Sequence, residues 1–166
     1  REVVMAAGDP DFASMIDLAE TAEGHGFDSV WCGDSVLARP RLEALSTLAA
    51  IAGRTQQVKL GTAVFLPALR NPVVLANEVA NLDIISKGRV ILGVGIASKT
   101  PSVEKEFNAC GVSFRHRVSI FEECITLMRR LWTEPEVTFN GQHFQMEGIS
   151  LGLQPVQKGG VPIWMA

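Results

Sequence analysis

The 166-residue sequence predicts an α/β fold built on a parallel β-sheet. Short apolar runs alternate with segments of helical periodicity, which is the order expected of βαβ units. The runs are apolar without alternation, as strands are when both faces of their sheet are covered. Successive runs begin at Phe27, Val58 and Val90, a spacing of about 30 residues that fits one βα unit.

Five strands are predicted, at residues 3–6, 27–31, 58–66, 89–95 and from 161 onwards. Three helices are predicted where a capping side chain precedes a proline. These starts are Asp9-Pro10, Asn71-Pro72 and Thr100-Pro101.

Two further helices are predicted from apolar stripes, one over residues 42–52 and a longer one over residues 118–132. We expect the stripe of the longer helix to pack against the sheet, and it consists of Val118, Phe121, Ile125, Met128 and Trp132. Before the last strand, Asn140-Gly141 lies between two short apolar segments and predicts a small hairpin with a two-residue turn.

Two architectures fit this order of elements: an open doubly wound sheet and a closed (β/α)8 barrel. A doubly wound dinucleotide-binding domain carries G-x-G-x-x-G after its first strand. Here the nearest match starts at Gly93 after the fourth strand, and Ser98 stands where the third glycine belongs. A nicotinamide-binding domain is therefore disfavoured.

Composition excludes several classes of function. The formal net charge of −3 disfavours nucleic-acid binding, and no apolar stretch reaches the roughly 18 residues of a membrane span. Three cysteines, Cys32, Cys110 and Cys124, match no zinc-binding spacing, so no metal site is predicted. Reduced cysteines are typical of a cytoplasmic protein.

Short motifs follow one another along nearly the whole chain. They are GFDSVWCGD (26–34), LGTAV (60–64), RNPVVLA (70–76), LD (82–83), SKGR (86–89), LGVG (92–95), EF (106–107), Gly111, LW (131–132), PVQ (155–157) and PIW (162–164). Each motif alone is weak, but the ordered set resembles the bacterial luciferase-like family of flavin-dependent oxidoreductases. This resemblance, and not periodicity, favours the barrel over the open sheet.

The resemblance implies that residues 1–166 form one partial domain, the N-terminal portion of a (β/α)8 TIM barrel with about five strands and a hairpin insertion before the last. It implies FMN or the deazaflavin F420 as cofactor and a small organic molecule as substrate. Either oxygen activation or hydride transfer would be the reaction. A flavin reductase and other copies of the chain, in a homo-oligomer, are the expected partners, and the isolated fragment is expected to bind cofactor poorly.

The resemblance also points to site residues at the C-terminal strand ends, where barrel enzymes have their active sites. Asp34, after the second strand, is the candidate catalytic residue, and it is expected to lie near the flavin. The other expected cofactor contacts are small residues and strand ends that let a ring approach the backbone. They are Gly61, Thr62, Ala63, Gly93, Val94 and Gly95.

Two positions depart from the F420-dependent branch that oxidises sugars. Ser35 stands where that branch has a histidine, and Ser98 where it has a glutamate. A non-catalytic barrel subunit that packs on a true flavin enzyme therefore remains an alternative. The three histidines, His25, His116 and His143, are expected to be structural.

Overall fold

The computed structural model describes the backbone of residues 2–5 and 12–166 and the side chains of residues 14–166. The strands are β1 (Glu2–Met5), β2 (Ser29–Cys32), β3 (Lys59–Thr62), β4 (Val90–Val94), β5 (Val137–Asn140), β6 (Gln145–Ile149) and β7 (Ile163–Met165). The helices are α1 (Phe12–Gly24), α2 (Ala44–Arg54), α3 (Pro72–Ile85), α4 (Pro101–Ala109) and α5 (Arg117–Thr133). Short 3-10 turns occur at Pro67–Leu69 and Phe114–His116.

A five-stranded parallel sheet with the order β1-β2-β3-β4-β7 forms the centre of the fold. Each strand pairs with the strand that follows it in this sheet, and the order never reverses. A doubly wound sheet reverses its order at a switch point, whereas a (β/α)8 barrel does not. The prediction of a partial barrel is therefore confirmed, and β5 and β6 form the predicted hairpin before the last strand.

One face of the sheet packs on the helices and forms the core. Val30, Leu60, Val90 and Leu92 point to this side, are almost fully buried, and join the apolar side chains of α2, α3 and α5 in a single cluster. Because side chains alternate along a strand, Trp31, Gly61, Gly93 and Trp164 lie on the opposite face. In a closed barrel that second face is the interior.

Two of the three predicted helix starts are confirmed by their hydrogen bonds. The Asn71 side chain accepts from the amides of Val73 and Val74, and the Thr100 hydroxyl accepts from Val103, each directly before a proline. The predicted start at Asp9-Pro10 lies outside the described residues. Helix α2 is capped by Glu43, whose carboxylate accepts from Leu45 and Ser46, a cap that the sequence analysis missed.

The stripe on α5 is buried as predicted at Phe121, Ile125, Met128 and Trp132, whereas Val118 is 39% exposed. The stripe meets α3 and the turn at Pro67–Leu69 more than the sheet, and the Trp132 indole donates to the carbonyl of Ala76 in α3. None of the helices in the described part of the chain combines the length and hydrophobicity needed to span a bilayer.

The predicted two-residue turn at Asn140-Gly141 is wrong. Asn140 pairs with Gln145, and the Gly141 amide donates to the Phe144 carbonyl at 2.9 Å, so the turn lies at residues 142–143. The Glu123 carboxylate on α5 accepts hydrogen bonds from the amides of Gln142, His143 and Phe144 at 2.7–3.1 Å. These bonds satisfy the amides of the turn, and they tie the hairpin to α5.

At the end of the sheet where the strands begin, Arg89 is 7% exposed and joins three segments. Its guanidinium donates to the carbonyls of Ser86, Val58, Ala52 and Thr55 and to the Thr55 hydroxyl. Burial lowers the pKa of Arg89, and the nearby Glu23 carboxylate opposes that shift. Glu23 itself accepts from the amides of residues 56–58. Together, the contacts of Arg89 and Glu23 fix the start of β3 against the start of β4. We call this end of the sheet, where the strands begin, its base.

Replacing Arg89 by methionine should lower the free energy of unfolding by about 2–4 kcal/mol, because several buried acceptors lose their donor at once. Urea unfolding measures this loss. Arg54→Met is the matched control, since the Arg54 side chain is 57% exposed and, among the described residues, bonds to Glu20 alone. It should cost less than about 1 kcal/mol, and equal losses in the two variants would contradict the assignment.

Candidate functional site

The C-terminal ends of the parallel strands meet at one edge of the sheet, which we call the mouth. β2 ends at Cys32, β3 at Thr62, β4 at Val94 and β7 at Met165. Every candidate residue from the sequence analysis lies at these ends or in the loops that follow them. The fold therefore brings the predicted site residues together at the edge where barrel enzymes bind their ligands.

Asp34 is buried at the mouth, and the contacts of its carboxylate with the described residues are structural. Its side chain is 1% exposed and forms a bidentate ion pair with Arg70, at 2.5 Å from Nη1 to Oδ2 and 2.7 Å from Nη2 to Oδ1. The Leu66 amide donates to Oδ2 at 3.0 Å. The Arg70 guanidinium also stacks on the Phe65 ring, 4.2 Å from its centroid. Asp34 thus joins the loop after β2 to the segment after β3.

This geometry favours a positioning role for Asp34 over proton transfer. Both carboxylate oxygens are engaged by Arg70, and the backbone bond fixes one of them further. Beside it, the Arg41 guanidinium lies over Gly33, at a place that a Cβ would occupy, and closes that side of the loop. The expected catalytic role of Asp34 stays a prediction.

Glu106, on α4, holds the loop that follows Asp34 and was missed as a site residue in the sequence. Its side chain is almost fully buried, and a single oxygen, Oε1, accepts from the amides of Val36, Leu37 and Ala38 and from the Ser35 hydroxyl. Burial opposes ionisation, but the bonds from the loop hold the pKa of Glu106 below its usual value. Helix α4 is therefore joined to the loop after β2 at the mouth.

The segment after β3 carries a bulge at the mouth. Gly61 pairs with Ile91 and Phe65 bridges to Val94, so residues 62–64 lie opposite only residues 92–93. The Thr62 hydroxyl donates to the Gly93 carbonyl at 2.8 Å, and the peptide between Ala63 and Val64 is cis. The bulge places Ala63 on the surface, while Thr62 is buried.

The three candidate glycines have neighbours within the protein that explain their size. A Cβ at Gly61 would overlap the Trp31 ring, one at Gly93 would overlap the Thr62 carbonyl oxygen, and one at Gly95 would press on Val64. Contacts within the protein therefore explain why these residues are glycines, without the space for a flavin that the sequence analysis expected. Their contact with a cofactor stays a prediction.

The mouth has the surface that a planar, mostly apolar ring with one polar edge needs. Ala63, Ile96 and Ser98 are exposed there, and no described residue accepts a hydrogen bond from the Val64 amide. Val94 is fully buried and points to the helices, so a ligand could reach only its backbone. Exposed side chains of this kind around a backbone donor fit a flavin or deazaflavin ring.

The remaining titratable candidates are unsuited to chemistry at the mouth. Burial raises the pKa of Cys32 to about 12, and the Glu43 carboxylate adds to the shift, so this thiol does not ionise near neutral pH. His25 lies in the turn between α1 and β2, at the other end of the sheet, and bonds to the Thr21 carbonyl. His143 bonds to Ser119 and lies beside His116, next to the hairpin.

Comparison with known proteins agrees with this geometry. The sequence model of the luciferase-like monooxygenase family matches residues 2–166. The F420-dependent glucose-6-phosphate dehydrogenase of Nocardia farcinica is 35% identical over 160 residues, covering 92% of this chain and 46% of that protein. The enzyme of the same name from Intrasporangium calvum is 36% identical, covering 92% and 47%. The chain spans about half the length of the curated relatives it matches.

Solved structures show the same fold. Monooxygenase RslO1 from Streptomyces bottropensis superposes with a TM-score of 0.85 at 30% identity, covering 93% of this chain and 46% of that one. An F420-dependent secondary alcohol dehydrogenase in complex with an F420–acetone adduct gives a TM-score of 0.84 at 26% identity, with 99% and 51% covered.

Removing the partner of Asp34 tests its positioning role. Arg70→Met leaves a buried carboxylate with one backbone bond and should lower the free energy of unfolding by about 3 kcal/mol. Arg54→Met is again the control, because the Arg54 side chain is 57% exposed and its pair with Glu20 should contribute less than about 1 kcal/mol. Urea unfolding compares the two variants. If Arg70→Met is as stable as the control, the ion pair between Asp34 and Arg70 does not hold these loops in place.

Glu106→Gln should lower the free energy of unfolding by about 1–3 kcal/mol at neutral pH, since charged hydrogen bonds to the loop are weakened. Because the folded pKa of Glu106 is depressed, its stabilisation is present above its usual pKa of 4.5 and is lost as the pH falls through the folded value. The difference in the free energy of unfolding between wild type and variant should therefore become smaller below pH 4.5.

Urea unfolding at neutral pH and below pH 4.5 measures the free energy of unfolding of wild type and of Glu106→Gln, and so their difference at each pH. Glu104→Gln is the control on the same helix, because no hydrogen bond of the Glu104 side chain is found among the described residues. A gap between wild type and Glu106→Gln that stays constant with pH would count against the charged form of Glu106 as the group that holds the loop.

Proposed function

Because this chain belongs to the luciferase-like monooxygenase family, we propose that it is part of an F420-dependent oxidoreductase that transfers a hydride between the deazaflavin and a small organic substrate. The observation that carries the proposal is the family match over residues 2–166 together with curated relatives whose names specify F420. The structural neighbour that holds an F420–acetone adduct supports the same cofactor.

The residues of the mouth suit the cofactor in this proposal. The deazaflavin supplies a carbon centre that accepts or donates a hydride. The bulge at residues 62–64 would lie along the ring, with the Val64 amide as a donor to its polar edge. Asp34, Arg70 and Glu106 would keep the surrounding loops in one conformation, so that the ring and the substrate meet in a fixed geometry.

The substrate is proposed to be a small alcohol or carbonyl compound and not a sugar phosphate. The Ser35 hydroxyl donates to Glu106 and accepts from the Arg39 amide, so it cannot serve as a base. Ser98 is exposed and follows Ala97, whose φ of 64° turns the chain away from β4. The two positions where the sugar-oxidising branch has a histidine and a glutamate therefore lack groups that titrate near neutral pH.

A second candidate is the non-catalytic barrel subunit. The contacts of Asp34 favour it, since the one acidic side chain at the mouth with an expected chemical role is fully paired. Such a subunit would keep the barrel and its packing but would not bind a flavin.

Titration of the full-length protein with oxidised F420 and with FMN, each followed by cofactor fluorescence, separates these candidates. We expect micromolar binding of F420 and FMN binding weaker by at least about tenfold, or about 1.4 kcal/mol. Reduced F420 should then form with a secondary alcohol and not with glucose 6-phosphate. Tighter binding of FMN than of F420 would favour an oxygen-using monooxygenase, and binding of neither cofactor would favour the non-catalytic subunit.

A further inference from the structure

Two tryptophans meet on the face of the sheet that the helices leave uncovered. Trp31 is the last residue but one of β2, and Trp164 is the last but one of β7. Their ring centroids are 5.4 Å apart and the ring planes are tilted by 34°. β3 and β4 lie between these strands, so the two rings meet across the interior face, one residue below the mouth.

The glycines of β3 and β4 allow this meeting. Trp31 is in register with Gly61, and Trp164 is in register with Gly93. A side chain at Gly61 would overlap the Trp31 ring, and a Cβ at Gly93 would lie 3.5 Å from its far edge. The Trp31 indole N–H is satisfied by the Ser29 hydroxyl at 2.8 Å. Trp31 is thus fixed as a platform that spans two strands.

Trp164 differs from Trp31 in exposure. Trp31 is 6% exposed, whereas Trp164 is 52% exposed although one side of its ring contacts Trp31. On the interior face Trp164 is in register with Gly93, at a strand end where the cofactor is expected to bind.

We propose that Trp164, held in place by Trp31, is a floor on which the ring system of the F420 or FMN cofactor stacks. The inference rests on the proposed function, because it takes the ring as the occupant of the mouth. Indole is an electron-rich aromatic surface and an oxidised flavin or deazaflavin is an electron-poor one, so offset stacking of the two is favourable. Trp164 is then a cofactor-binding residue, and Trp31 is a positioning residue.

Fluorescence of the bound cofactor tests the floor in the full-length protein. A stacked indole donates an electron to an excited flavin or deazaflavin ring, so emission of bound F420 or FMN should be lower than that of the free cofactor. Trp164→Leu should restore emission and weaken binding by about 2- to 10-fold, the range of one aromatic pair. Trp164→Tyr, which keeps a stacking, electron-donating ring, should retain most of both properties.

Trp132→Phe is the matched control, because Trp132 is buried on α5 in the helix layer and bonds to the Ala76 carbonyl. It should change neither the emission nor the dissociation constant of the cofactor. Wild-type affinity together with unchanged emission in Trp164→Leu would overturn the floor and assign Trp164 to packing inside the barrel.

The wild-type measurements keep the inference testable if Trp164→Leu does not fold. Bound cofactor that is as bright as free cofactor would overturn the floor without any variant. If the wild type binds neither F420 nor FMN, both the proposed function and the stacking role of Trp164 are contradicted. If the wild type binds a cofactor and Trp164 influences neither its affinity nor its emission, only the stacking role is contradicted.

Discussion

Carboxylates that accept hydrogen bonds from backbone amides hold the connections of this sheet in place. A parallel sheet needs a long crossover between successive strands, and each crossover exposes amides that no ladder satisfies. Glu106 binds three consecutive amides of the loop after β2, and Glu23 binds three before β3. Asp83, which is fully buried, accepts from the amide and side chain of Gln157 and so fixes the segment before β7.

These contacts explain why the mouth and the base of the sheet differ in construction. At the base, Arg89 donates to backbone carbonyls, so a cation satisfies the acceptors left by helix ends and strand starts. At the mouth, Asp34 and Glu106 accept from amides at the beginning of loops. Loops rigidified in this way can hold a ligand in one geometry at low entropic cost.

The sequence predicted those features of the fold that depend on local signals. Caps at Asn71 and Thr100, the periodicity of α5 and the alternation of strands and helices are each encoded within a few residues, and the structure confirms them. The turn at Asn140-Gly141 was predicted wrongly because its conformation depends on Glu123, which is distant in sequence. The role of Glu106 could not be predicted either, since its partners lie about 70 residues away.

The glycines show a similar limit of sequence reasoning. Small residues at Gly61 and Gly93 were interpreted as space for a cofactor, because a missing side chain gives no information about what takes its place. The structure fills that space with Trp31 and the Thr62 carbonyl. A tryptophan and a glycine in register on adjacent strands would have been a detectable signal, but only once the strand pairing was known.

Proton transfer places a further constraint on the proposed reaction. Oxidation of an alcohol by hydride transfer needs a group that accepts the hydroxyl proton, and reduction of a carbonyl needs a group that donates one. At the mouth, Asp34 is paired with Arg70, Ser35 is bonded to Glu106, and the Cys32 thiol has a pKa raised to about 12. None of these three groups is placed to exchange a proton with a substrate. In the proposed enzyme the proton would therefore pass through another residue or through solvent at the open side of the mouth. In this proposal Asp34, Ser35 and Glu106 position the loops of the mouth, and the proton chemistry is separate from them.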